Sequence, residues 1–236
     1  MSHSHVPDGQ MPGSPLECGR MKRIAVLISG QGSNLGAIVR ASVAQDWPGR
    51  VVAVVSNRAE ARGLQFAQEH GIATAVLDHK AYADRAAFDA ALAETIDRFA
   101  PDLVVLAGFM RVLTDAFVAK YAGRMLNVHP SLLPSFPGLR THQQALDAGV
   151  RVHGASVHFV TPTLDHGPIV AQGAVPVVAG DDAAALAARV LKVEHDIYPR
   201  AVRWFIEGRL SIEGERVALA PSEPQWLFAD IAGEGV

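Results

Sequence analysis

Five short runs of valine, isoleucine, leucine and alanine punctuate the first half of the chain, and stretches with helical spacing separate them. The runs are RIAVLIS (23–29), RVVAVVSN (50–57), IATAVL (72–77), DLVVLAGF (102–109) and RMLNVH (124–129). They are continuously apolar, without the alternation of a strand that has one wet face, so each must be covered on both sides. Helices are predicted from about residue 35 and over 62–70, 84–99 and 114–121. In the third, Phe88, Leu92, Ile96 and Phe99 are spaced to share one face. Buried strands joined by helical crossovers make a parallel sheet with helices on both faces, a doubly wound α/β fold.

The pattern changes after Ser131. GASVHFV (154–160) and IVAQGAVPV (169–177) alternate more and have no helix between them, so an antiparallel pair is expected to complete the mostly parallel sheet. A strong helix follows over 181–198, with Leu186, Val190, Val193 and Ile197 on one stripe. Pro199 is expected to kink or interrupt it, and the helical pattern resumes to Gly208. RLSIEGERVALA reads as a hairpin turning at Glu213–Gly214.

The 236 residues have ordinary composition and suit one domain, expected over 21–220 between an N-terminal extension (1–20) and a C-terminal tail (221–236). The opening residues are polar and rich in Pro, Gly and Ser, without a signal peptide's apolar core, and are expected to be disordered. A net charge of −3 leaves no basic footprint for nucleic acid, so an anionic ligand must be held by local donors. No apolar run approaches the roughly 18 residues of a membrane span. The single cysteine, Cys18, allows no intrachain disulfide. These features lead us to expect a cytoplasmic protein, with monomer and homodimer both open. No cluster has metal-ligand spacing, and no metal is expected.

Open α/β sheets bind ligands beyond the carboxyl ends of their strands, which directs attention to three strand exits. SGQGSN (29–34) leaves the first strand with Gly30 and Gly32 in a turn that can aim backbone amides at an anion. It lacks the lysine of a P-loop and the third glycine of a dinucleotide fingerprint, and by itself does not separate a phosphate site from a plain turn capped by Ser33 or Asn34. GFMRVL (108–113) sets Arg111 among apolar residues, a greasy slot with polar backbone at its rim unless the arginine is simply solvated. NVHPSLLPSFPG (127–138) places Asn127 and His129 on the same side of a strand as it enters a proline-stiffened loop. Two such donors at a strand end can converge on an oxyanion, and the histidine can also move a proton. Asp165, in a turn built from Pro162, Gly167 and Pro168, is the candidate carboxylate partner; by itself it reads as a turn residue. His158 and His166 are rival histidines, and Glu194 by pattern is a solvated helix residue.

Together, RIAVLISGQGSNL, VVLAGFMRVL, NVHPSLLPSFPG, GASVHFVTPTLDHGPIV and VEHDIYP resemble the glycinamide ribonucleotide formyltransferases, in order, from about residue 22 to 210. The resemblance implies a Rossmann-like formyltransferase fold and transfer of a formyl group from 10-formyltetrahydrofolate, as co-substrate, to the amine of glycinamide ribonucleotide in purine synthesis. It implies a catalytic trio of Asn127, His129 and Asp165, and a substrate phosphate on Gly32, Ser33 and Asn34. A ribose contact falls on Glu194, with Leu191, Lys192 and Val193 along the same wall. Folate contacts fall on Arg85, on Met110, Arg111, Val112 and Leu113, on Asn127, and on Thr161, Pro162, Thr163, Leu164 and Asp165. Arg140 and His166 stand where variation within the family is expected. The alternatives are a 10-formyltetrahydrofolate hydrolase, expected to need a further N-terminal domain, and a non-catalytic nucleotide-binding module that kept the fold.

Overall fold

The computed structural model describes residues 19–229. The strands are β1 (Lys22–Ile28), β2 (Gly49–Ser56), β3 (Ala73–Val76), β4 (Leu103–Leu106), β5 (Met125–His129), β6 (Val152–Phe159), β7 (Ile169–Pro176), β8 (Leu210–Glu213), β9 (Arg216–Leu219) and β10 (Trp226–Phe228). The helices are α1 (Ser33–Ala44), α2 (Arg62–Glu69), α3 (Arg85–Asp97), α4 (Asp115–Lys120), α5 (Thr141–Asp147) and α6 (Ala183–Ile206). They build one sheet in the order β3-β2-β1-β4-β5-β6-β7-β9-β8, with β10 also beside β7. β1 to β5 are mutually parallel, and β6 pairs antiparallel with both β5 and β7. The chain winds outward through β2 and β3, then returns to the other side of β1 with β4. The carboxyl ends of β1 and β4 therefore flank the topological switch point.

Both sheet faces are buried, as continuous apolar strands require. Ile24, Val26 and Ile28 of β1 point to the layer of α1, α2 and α6, while Ala25 and Leu27 point to α3 and α4. Phe88, Leu92 and Ile96 of α3 fill the second layer, whereas Phe99 lies beyond the helix and is only half-buried.

The structure departs from the sequence reading in four places. The fourth strand stops at Leu106, because Gly108 turns at φ 75° and its carbonyl accepts the Ser29 N–H. Pro199 does not interrupt α6, which runs through it as a single helix. Burial explains the tolerance: Pro199 and its neighbours Tyr198, Ala201 and Val202 are all in the core, so packing outweighs one lost backbone bond. Helix α5 arises after the proline loop, where no pattern was recognised. Residues 226–228, assigned to a tail, form β10 against Gln172–Ala174 of β7. The N-terminal extension falls almost wholly outside the described residues, as does Cys18. Among the described residues no helix is long and apolar enough to cross a membrane.

One close approach bears directly on function. A Cβ at Gly173 of β7 would lie 1.8 Å from Val193 Cγ1 of α6. Glycine thus lets α6 settle on the sheet at the level of Glu194. We expect Gly173→Ala to cost about 1–3 kcal/mol by overpacking, read as a lower midpoint of thermal unfolding. An unchanged midpoint would show that α6 sits less tightly than described.

Candidate active site

Asn127 and His129 occupy alternate positions at the carboxyl end of β5, so their side chains leave the same face of the sheet. The antiparallel partner β6 sets Asn127 opposite His158 and His129 opposite Ser156. After β6 the chain turns through Asp165, a non-glycine residue at φ 54°, and returns as β7. The turn is tight: a Cβ at Gly167 would stand 1.7 Å from the Phe159 carbonyl. Hairpin register and turn together bring Asp165 Oδ2 to 3.5 Å from His129 Nδ1. Both residues are more than nine-tenths buried, so their interaction is weakly screened.

The proline loop closes a circuit around this pair. His129 Nε2 donates to the Phe136 carbonyl at 3.0 Å, and the Gly138 N–H donates to Asp165 Oδ2 at 2.9 Å. Phe136 and Gly138 both need positive φ, at 55° and 82°. Ser156 fastens the base of the loop, accepting from Leu133 N–H at 2.9 Å and donating to the Ser131 carbonyl at 2.8 Å. Thr141, at the start of α5, donates to the Pro130 carbonyl at 2.7 Å. With Nε2–H committed to Phe136, His129 faces Asp165 through Nδ1. Nδ1 can donate to a reacting oxygen only when the ring is protonated.

Of the two rival histidines, His158 joins the site. Its Nδ1 donates to the Phe159 carbonyl at 2.9 Å, and burial pulls its pKa below the ordinary value. The ring is therefore neutral, with Nε2 as an acceptor, and it takes an N–H from Asn127 Nδ2 at 3.2 Å. This fixes which way the Asn127 amide points and leaves its second N–H free. His166, by contrast, is exposed. Sequence reading held His158 only as a rival histidine and did not identify Phe136 O or Gly138 N–H as parts of the site. What separates His158 from His166 is the hairpin register that sets it against Asn127.

Behind His129, the His142 and His153 rings meet edge to face, 5.3 Å apart. His153 is 1% exposed, and burial, aided by His142, pushes its pKa down to about 4. A histidine kept neutral in the native state binds its proton first in the unfolded chain. Its contribution to stability is present above the unfolded value of about 6.5 and is lost as pH falls toward 4. We expect about 3 kcal/mol of acid destabilisation from this group across that window. Urea unfolding at pH 7 and pH 4 should show it in the native sequence and not in His153→Phe; equal slopes would remove His153 as the cause.

Two strands away, Gly32 adopts φ 74° and α1 begins at Ser33. No side chain caps the helix, contrary to the Ser33 or Asn34 cap considered from sequence. The first backbone amides of α1 thus remain open to an anion. Asn34 turns inward instead: its Nδ2 donates to Glu194 Oε2 at 2.7 Å, and both side chains are buried. Burial raises the Glu194 pKa, an effect the Asn34 bond opposes. Of the predicted wall on α6, Val193 is turned into the core toward Gly173, Leu191 is half-buried and Lys192 is exposed. Glu194 is bonded to the glycine loop by its side chain, through Asn34.

The predicted folate segments line the mouth of the same edge. Met110, Val112 and Leu164 are exposed apolar side chains, Leu113 and Thr161 are half-buried, and Pro162 and Thr163 are exposed. Arg111 is not a freely solvated charge, since its guanidinium lies 5.6 Å from the Phe88 ring centre of α3. Arg85, exposed, opens that helix.

The arrangement combines an anion-ready helix end, a buried carboxylate–amide pair, a two-donor pocket and an apolar rim. Residues 22–202 match the family model described as formyl transferase. The chain is 55% identical over 214 residues to phosphoribosylglycinamide formyltransferase of Escherichia coli, spanning 88% of this chain and 99% of that protein. Glycinamide ribonucleotide transformylase 1 of Symbiobacterium toebii superposes with a TM-score of 0.83 at 51% identity, over 85% of this chain and 95% of the other. A formyltetrahydrofolate deformylase of Pseudomonas syringae is more distant, with a TM-score of 0.78 and 27% identity over 85% and 66%. The chain belongs to the formyl transferase family, among its phosphoribosylglycinamide formyltransferases.

Proposed function

We propose that the chain transfers the formyl group of 10-formyltetrahydrofolate to the amine of glycinamide ribonucleotide, with Asn127, His129 and Asp165 as catalytic residues. The observation that carries the site assignment is the convergence of these three side chains at the end of β5, with His129 Nδ1 3.5 Å from Asp165. The substrate phosphate takes the open amides of Gly32, Ser33 and Asn34, and Glu194, held by Asn34, accepts from the ribose. The exits of β1 and β5 are two strand spacings apart, roughly 10 Å. A ribose phosphate carrying a glycine arm has a similar reach, which sets its amine beside the trio.

As the amine nitrogen attacks the formyl carbon, the carbonyl oxygen gains the electron pair of the broken π bond. The free Asn127 N–H and the protonated Nδ1 of His129 donate to that oxygen. The attacking nitrogen becomes cationic and must lose a proton. Asp165 Oδ1 has no hydrogen bond among the described residues and can accept that proton, directly or through water. The tetrahedral centre then collapses, the bond to folate N10 breaks, and the proton passes to N10. Placing both substrates on one sheet edge supplies the orientation such a transfer needs.

The test is product formation with both substrates and with glycinamide ribonucleotide left out. Tetrahydrofolate formed only with both supports the transferase reading. Equal formation without the ribonucleotide assigns a hydrolase, and none in either case assigns a binding module.

A further inference from the structure

Between Met110 and Thr114 the chain passes from β4 to α4 without secondary structure, and both ends of this crossing are tied to buried side chains. At one end the Met110 N–H donates to Ser29 Oγ at 2.8 Å, and that hydroxyl donates onward to Asn57 Oδ1 at 2.6 Å. At the other, the Thr114 N–H donates to Asp89 Oδ2 at 2.6 Å. Ser29, Asn57 and Asp89 are 5%, 2% and 3% exposed, so these ties are shielded from water. The backbone N–H and C=O groups of Arg111, Val112 and Leu113 make no hydrogen bond among the described residues. A short polar backbone edge is thus held taut and unpaired at the mouth of the site.

Asp89 is the unusual component. It comes from α3, whose other inward residues are Phe88, Leu92, Ala93 and Ile96. A carboxylate in that company is costly, and its second oxygen, Oδ1, is buried without a partner. The neighbouring Phe88 carries the Arg111 guanidinium on its ring, so α3 also meets the middle of the crossing. A fold that needed only to close this layer would be served by an apolar residue. The carboxylate instead makes a charge-assisted bond to a single backbone amide where the crossing meets α4.

We propose that Asp89 is a positioning residue for the folate co-substrate: with Ser29 at the opposite end, it holds the 111–113 backbone edge in the one extended shape that a flat heteroaromatic ring can pair with. The inference rests on the reading that this rim receives folate. It separates the two halves of the site. Asp89 acts on folate binding, while the phosphate loop and Glu194 act on the ribonucleotide.

The experiment is a fluorescence titration with tetrahydrofolate alone, joined to steady-state KM values for both substrates. Wild-type protein that does not bind tetrahydrofolate overturns the folate reading itself. If it binds, Asp89→Ala is expected to weaken binding roughly 10-fold or more, with the KM for the ribonucleotide within about twofold. Asp89→Asn keeps a carbonyl acceptor for the Thr114 N–H and is expected to recover most of the loss. Ser29→Ala frees the Met110 end and is expected to weaken tetrahydrofolate severalfold. Unchanged tetrahydrofolate binding in Asp89→Ala, or in Ser29→Ala if the first variant does not fold, overturns the clamp. A parallel rise in both KM values with no recovery in Asp89→Asn also overturns it, since that is the mark of a merely structural residue.

Discussion

Replacing His129 by alanine is expected to lower kcat for formyl transfer by about 10²–10⁴-fold, with both KM values changed far less. The reason lies in what each ring nitrogen does. Nε2–H is occupied by the Phe136 carbonyl at 3.0 Å, leaving Nδ1 to face the reacting group and Asp165. The stabilising interaction therefore strengthens as charge develops on the formyl oxygen and contributes little to ground-state binding. His129→Gln tests the geometry. An amide can keep one hydrogen bond but cannot carry a positive charge, so this variant should stay well below wild type. Turnover within tenfold of wild type in either variant would remove His129 from the reaction.

Asp165→Asn is expected to produce a loss of about 10²–10³-fold in kcat with the fold intact. The amide oxygen can still accept the Gly138 N–H, so the proline loop keeps its anchor, but the charge facing His129 is gone. Asp165→Ala removes the anchor as well. We expect it to match the asparagine variant in kcat and to show, in addition, faster amide hydrogen exchange across residues 136–138, where the backbone depends on that carboxylate. If the two variants exchange alike, the carboxylate does not hold the loop. If Asp165→Asn retains wild-type turnover, its charge has no part in the chemistry.

The parallel half of the fold was legible because its signal is local. Val26 and Leu27 of β1 sit on opposite faces and both are fully buried, so the run has to be apolar throughout. Leu186, Val190, Val193 and Ile197 marked α6 by spacing, and all four are buried. Pro199 misled because local backbone rules carry no knowledge of the packing around it. The end of β4 misled for a related reason: Ala107 and Phe109 are buried and apolar like strand residues, but Gly108 turns the chain out of the sheet. Helix α5 buries only Thr141 and Ala145, too little for a hydrophobic stripe.

In the site, Asn127 and His129 stood out because a two-residue spacing at a strand end has a direct geometric meaning. Asp165 was visible as a turn residue and gained a partner only when the β6–β7 hairpin folded it back. Glu194 had no role visible in its pattern and entered only through the family resemblance, since its bond to Asn34 joins positions 160 residues apart. Asp89 was hidden for a similar reason, since its pattern neighbours are core residues and its partner Thr114, 25 residues on, caps another element. Roles that depend on register or turns leave traces in one stretch of sequence; roles that depend on tertiary contact do not.

The Asn34–Glu194 bond also bears on how the molecule comes into being. Asn34 leaves the ribosome 160 residues ahead of Glu194. β1 to β5 are all translated before α6, which covers one face of their sheet. On the proposed function, the ribonucleotide half of the site is incomplete at that stage, because Glu194 has not yet been translated. A nascent chain halted before α6 is therefore expected to gain less stability from the ribonucleotide than the full chain. Full ribonucleotide-linked stabilisation is then expected only once α6 docks, which ties that half of the proposed site to a long-range contact of the fold.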